Sequence, residues 1–182
     1  MIRGCVRPAE VVVRDLEWAG VFAIDTETTS KRPHEAELVG LSFSVKPHEA
    51  FYIPVGHSGP DESEQLDRQT VLDTLSSVLT NPDIGKIGQN IKYDWMVLRR
   101  YGIDLKGVIF DTMIASYLLN PSRRAHSLDQ IALDLLDHQM ISYNDVTTDL
   151  KKGEDFRNVP LSKAVPLLRP CLVMYMLSMN SR

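Results

Sequence analysis

The chain has 182 residues, 43% of them hydrophobic and 24% charged, with a net charge of −4. That length suits one domain able to bury a real core, and the composition is ordinary for a soluble globular protein. The acidic balance excludes a broad basic surface for nucleic acid but permits an enzyme that grips phosphates locally through metal ions. The apolar runs are short and interrupted, so no membrane span is expected. Met1-Ile2-Arg3-Gly4-Cys5 has no apolar stretch behind it and does not read as a secretory signal. Cys5 and Cys171 lie too far apart to form a metal-ligand spacing, and the expectation is a reduced, cytoplasmic protein.

In chain order, residues 8–19 read as a short helix stopped by Gly20. Val21-Phe22-Ala23-Ile24-Asp25 is a β-branched and aromatic run, predicted as a buried strand. A polar stretch broken by Pro33 follows. Residues 38–44 and 50–55 then read as two strands of a hairpin. After a loop over 56–64, residues 69–79 have helical apolar spacing. Residues 86–88 form a strand leading into a helix over about 91–101. Val108-Ile109-Phe110 is another strand, and Asp111 is placed to cap the helix that runs through Leu119. Ser127 precedes a helix with Leu128, Ile131, Ala132 and Leu135 on one face. Residues 143–158 are polar, a loop with some helix, and residues 161–165 open the last helix. The predicted class is α/β: a three-strand antiparallel meander, then strand and helix in alternation, giving a mixed central sheet flanked by helices.

Asp25-Thr26-Glu27 stands where the first predicted strand runs out of apolar residues. Alternation puts the two carboxylates on one side of an extended chain and Thr26 on the other. Two crowded acids repel unless a cation lies between them, and a hard divalent ion takes oxygen ligands. A strand that merely ends in solvated acids has the same spacing. Asp94 adds weight, falling one turn into a helix with Asn90 four residues before it on the same face. An acid in a first turn also serves the helix dipole without any ligand.

These segments resemble the 3′–5′ exonuclease (proofreading) domain of family A DNA polymerases, within the DnaQ-like, ribonuclease-H-like superfamily. Phe22-Ala23-Ile24-Asp25-Thr26-Glu27-Thr28 is similar to the family's first motif, and Gly88-Gln89-Asn90-Ile91-Lys92-Tyr93-Asp94 to its second. Residues 38–44 and 50–55 and the Phe110-Asp111-Thr112-Met113 segment follow in the family's order, from about residue 10 to Ala164. The resemblance implies a ribonuclease-H-like fold. It also implies a catalytic and metal-binding set of Asp25, Glu27 and Asp94 holding two Mg²⁺ or Mn²⁺ ions, with Thr28, Asn90 and Tyr93 contacting the terminal nucleotide. The implied partners are a single-stranded DNA 3′ end and a polymerase domain outside this chain. Asp111 reads as a helix cap rather than a ligand, and Arg99, Arg100, Arg123 and Arg124 as solvated cations rather than phosphate contacts.

The family's third motif places Tyr, three residues, then Asp on the last helix. In register, those positions fall on Leu167 and Cys171, with Pro170 between them. Leucine cannot orient water, and a thiol is a soft, mostly protonated ligand poorly matched to Mg²⁺. A proline in a helix interior costs roughly 3 kcal/mol. From Phe156 to Arg182 there is no acid, and three of the seven methionines follow Val173. The expected division is an exonuclease domain over 1–166 and a divergent tail over 167–182. Loss of the reading frame near Pro166 and drift in an inactive domain both account for such a tail. The expected activity is impaired. A ribonuclease D-like RNA-trimming enzyme and a non-catalytic DNA-binding scaffold are the alternatives.

Overall fold

The run starting at Val21 becomes the strand on which the fold is organised. A computed structural model describes residues 3–47, 49–58, 65–141, 143–164 and 169–180. Among the described residues six strands, β1 (Arg3–Val6), β2 (Val21–Thr28), β3 (Leu38–Lys46), β4 (Glu49–Pro54), β5 (Gly85–Gly88) and β6 (Val108–Asp111), form one sheet in the order β1-β4-β3-β2-β5-β6. β2, β3 and β4 make the expected antiparallel meander, and β5 and β6 extend it parallel to β2. The mixed, helix-flanked sheet predicted from the sequence is therefore the observed fold. β1, parallel to β4, was not anticipated. Its four residues, Arg-Gly-Cys-Val, are too few to show alternation.

The helices are α1 (Ala9–Ala19), α2 (Arg68–Leu79), α3 (Lys92–Arg100), α4 (Thr112–Leu119), α5 (Leu128–Leu136), α6 (Tyr143–Thr147), α7 (Leu161–Ala164) and α8 (Arg169–Asn180), with a 3₁₀ turn at Phe156–Asn158. Gly20 stops α1 in the left-handed region (φ 68°), its N–H bonding back to Leu16 O. On one face of the sheet, Phe22, Ile24, Leu41, Phe43, Phe51 and Ile53 pack against α1, α2 and α3. On the other, Ala23 and Ile87 meet α5 and α8, while Ala50 and Tyr52 meet residues 146–164. Side chains alternate faces along β2, so Asp25 and Glu27 share the side of Ala23, under α8.

Three local features carry consequences. Tyr52 lies across Gly40, where a Cβ would come 2.0 Å from its hydroxyl oxygen. That hydroxyl bonds His57 Nε2 at 2.7 Å, and His57 Nδ1 meets Val159 O at 2.9 Å, tying the 3₁₀ segment to the sheet. Lys86 is fully buried, its ammonium donating to Asn81 O (2.6 Å) and Ile84 O (2.9 Å). Burial pulls its pKa down to about 8.

One expectation needs correction. Leu135 is exposed, at the rim of a cleft lined also by Phe110, Leu119 and Leu177, whereas Leu128, Ile131 and Ala132 form the buried stripe. Pro170 is the second described residue of α8, Arg169–Asn180, and residues 165–168 before it lie outside the described residues. The loop expected over 56–64 is described only to Ser58, and Leu167 lies outside the described residues. Among the described residues, no helix is long and apolar enough to cross a membrane.

Candidate functional site

β2, β5 and β6 run parallel, so their carboxyl ends open on one edge of the sheet, the usual place for a site in an α/β layer. Asp25 and Glu27 lie at that end of β2, both half-buried. Asp94 enters from the first turn of α3 and is only 2% exposed. Its Oδ1 accepts from Thr26 N (3.0 Å) and Thr26 Oγ1 (2.6 Å). The residue between the two β2 acids, facing the other way, thus anchors the third acid.

The three carboxyls are brought together closely enough to perturb one another. Burial pushes Asp25 well above the usual carboxylate range, and the charge of Glu27 pushes it further. Burial and then Asp94 raise Glu27 to about 7. Burial and then Asp25 raise Asp94 well above its ordinary value. A cluster of this kind is short of positive charge. Its hard oxygen donors suit a divalent cation such as Mg²⁺ or Mn²⁺. Among the described residues, no three His, Cys, Asp or Glu side chains are grouped to hold one ion together. The Thr26 bonds engage one oxygen of Asp94.

Cys171 is fully buried on α8, its thiol 3.3 Å from both Ser42 Oγ and Ser42 O. Ser42 is the cross-strand partner of Asp25. Burial pushes the thiol well up, and Asp25, Asp94 and Glu27 add to the rise. Cys171 therefore stands close enough to the three acids to feel their charge, as a buried thiol.

Tyr93 and Thr28 form a polar pair beside the acids. The Tyr93 hydroxyl donates to Ser30 O at 2.5 Å and lies 2.5 Å from Thr28 Oγ1. Asn90 sits in the left-handed region (φ 53°) at the turn before α3. Asp111 is the N-cap of α4, as expected, accepting from Met113 N (2.8 Å) and Ile114 N (3.3 Å). Of the arginines, Arg123 pairs with Asp134 (2.7 Å), Arg100 bonds Pro33 O and Ala36 O, and Arg99 lies over the Trp95 ring.

Sequence reasoning passed over Tyr143. Its ring stacks on Phe156, with centroids 5.9 Å apart and planes at 23°. Burial, then Glu27, Asp155 and Tyr93, raise its pKa, which puts the phenol beside the acid cluster. It lies in a polar stretch without periodicity, and no local pattern marked it.

This is an α/β nuclease fold with an acid cluster at the carboxyl end of its central strands. The family described as 3′-5′ exonuclease matches residues 5–167, and the chain belongs to that family, as a 3′–5′ exonuclease domain of the DNA polymerase I type. DNA polymerase I of Pseudomonas aeruginosa is 40% identical over 156 residues, covering 85% of this chain and 17% of that protein. The chain thus spans about a sixth of the length of that relative. Brucella melitensis NrnC with bound Mg²⁺ superposes with a TM-score of 0.68 at 23% identity, covering 99% of this chain and 79% of that one. Escherichia coli RNase D gives a TM-score of 0.70 at 14% identity, covering 99% and 44%. The ribonuclease-H-like fold is common to all of them.

Proposed function

We propose that this chain is a proofreading-type exonuclease domain that binds a DNA 3′ end, with hydrolysis impaired by its last helix. The observation that carries the reading is the gathering of Asp25, Glu27 and Asp94 beside the Cys171 thiol, where a fourth carboxylate is expected. Asp25, Glu27 and Asp94 would hold Mg²⁺ or Mn²⁺. When bound, such ions supply Lewis-acid activation of water and neutralise charge at the leaving 3′ oxygen. The chain's own residues do the rest. Thr28, Tyr93 and Asn90 shape the seat of the terminal nucleotide, and the half-exposed Tyr143 ring, 46% accessible, offers a base a stacking surface.

The thiol at Cys171 contributes neither the charge nor the hardness of a carboxylate, and Leu167 has no hydroxyl to orient water. Loss of one preorganised electrostatic group commonly costs about 10²–10³ in rate. The loss of two brings turnover close to background. Residues 1–166 then form the exonuclease unit, and 167–182 a divergent tail that keeps the helix and loses the chemistry. A cytoplasmic setting and a polymerase domain as neighbour belong to the same reading, supported by likeness to DNA polymerase I.

The test uses 3′-labelled single-stranded DNA and RNA oligonucleotides of matched sequence with Mn²⁺, alongside an intact proofreading domain. Binding of the DNA 3′ end with trimming at least a hundredfold slower supports the reading. Turnover equal to the intact domain overturns the impairment. Preferential trimming of RNA overturns the DNA assignment. Absence of both binding and Mn²⁺-dependent stabilisation assigns the chain to scaffolding.

A further inference from the structure

The Asp111 carboxylate does more than cap α4. Its Oδ1 accepts from Met113 N (2.8 Å), Ile114 N (3.3 Å) and Asn90 N (3.1 Å), and its Oδ2 accepts from Ile91 N (2.9 Å). Two of these donors belong to the first turn of α4 and two to the turn that opens α3. That second turn contains Asn90 in the left-handed region, a conformation a non-glycine residue keeps only when its surroundings impose it. No side chain of its own caps α3. Gly88 and Asp111 are register partners on β5 and β6, so the two strand ends sit side by side. Thr112 Oγ1 adds a second tie, donating to Gly88 O (3.2 Å) and to Gln89 Oε1.

We propose that Asp111 is a positioning residue: one carboxylate caps α4 and holds the Asn90–Ile91 backbone, and so fixes the turn that delivers Asn90 and Asp94 to the site. Asp94 lies three residues beyond Ile91 on the helix that this turn launches. Any drift of the turn moves Asn90 directly and tilts the start of α3. The effect on the site rests on the nuclease reading above, whereas the hold on the turn does not.

The two oxygens allow a clean test. In Asp111→Asn, the amide oxygen replaces Oδ1 and still caps α4, while the amide nitrogen faces Ile91 N–H donor to donor. Amide hydrogen exchange of the labelled protein should show Ile91 losing protection while Met113 keeps it. Binding of dTMP with Mn²⁺, measured by calorimetry, should weaken roughly tenfold or more, the usual effect of removing a group that orients a ligating or binding residue. The control is Asp67→Ala, which removes the cap of α2 at Thr70 N, away from the site. It should lower the melting temperature comparably and leave dTMP binding unchanged. If Asp111→Asn does not fold, Asp111→Ser serves, since a hydroxyl caps α4 but is too short to reach Ile91. Unchanged Ile91 exchange overturns the proposal, as does dTMP binding that matches the Asp67 variant. If the unaltered protein binds neither Mn²⁺ nor dTMP, the nuclease reading fails by itself, and Ile91 exchange alone decides the role of Asp111.

Discussion

Without a cation, the acid cluster should make the protein less stable as pH rises from 4.5 to 7. Glu27 moves from an ordinary value of 4.5 to about 7 on folding, driven by burial and by Asp94. Between those values the folded state binds more protons than the unfolded chain, so stability falls as pH climbs. Below 4.5 the cost is absent, and above 7 it is complete. At 1.36 kcal/mol per pKa unit, Glu27 alone accounts for about 3 kcal/mol. For a chain of this size that corresponds to roughly 6–12 °C in melting temperature. Asp25 and Asp94 shift in the same direction and add to it. The assay is thermal unfolding in EDTA at several pH values across the window, repeated with millimolar Mn²⁺ and with Glu27→Gln. Paired carboxylates such as Glu49 and Asp155, whose pKa values are lowered, act in the opposite sense at more acidic pH and leave this window clear. The unaltered protein should lose melting temperature with pH in EDTA and recover much of it in Mn²⁺ by mass action, and both effects should be smaller in Glu27→Gln. Parallel pH profiles for the two proteins would refute the electrostatic account of the cluster.

Cys171→Asp should lower the melting temperature in EDTA, because a fourth buried acid joins three that already repel. It should gain more stability from Mn²⁺ than the unaltered protein, and raise DNA trimming by about 10²–10³; trimming no faster than before would show that the position lies outside the reacting centre. At alkaline pH the sign reverses for Lys86, whose pKa drops from 10.5 to about 8. The unfolded chain then holds the extra proton, so stability rises between pH 8 and 10.5. Lys86→Met should abolish that rise in a pH series of denaturant melts, and persistence of the slope would place its origin elsewhere.

The parts of this molecule legible in its sequence are those where one physical rule acts locally. The run from Val21 is β-branched and apolar, so its burial as a strand follows from side-chain fit, and alternation then places Asp25 and Glu27 together. Asp111 is a short acceptor before a helix, and its capping of α4 could be expected. Its reach to Asn90 and Ile91 could not, because that depends on β6 lying beside β5 in a register that no local pattern encodes. Tyr143 is hidden for the same reason: its meaning comes from Phe156 and Glu27, distant in sequence or from another element. β1 is four residues held by backbone pairing to β4, which is indifferent to side-chain type.

α8 separates packing from chemistry. Helix docking needs apolar residues spaced about a turn apart, and Cys171, Met174 and Leu177 meet that need, burying against Ala23, Ile87 and α5. On the proposed reading, catalysis needs a charged oxygen at one position of that helix, and nothing in the burial pattern protects it. A change that replaces acids by small or apolar residues can therefore leave the helix seated on β2, β3 and β5 while removing the group the neighbouring carboxylates require. On the proposed reading, the three acids with their raised pKa values are what such a loss leaves behind. The apolar clusters on the two faces of the sheet hold the fold around them.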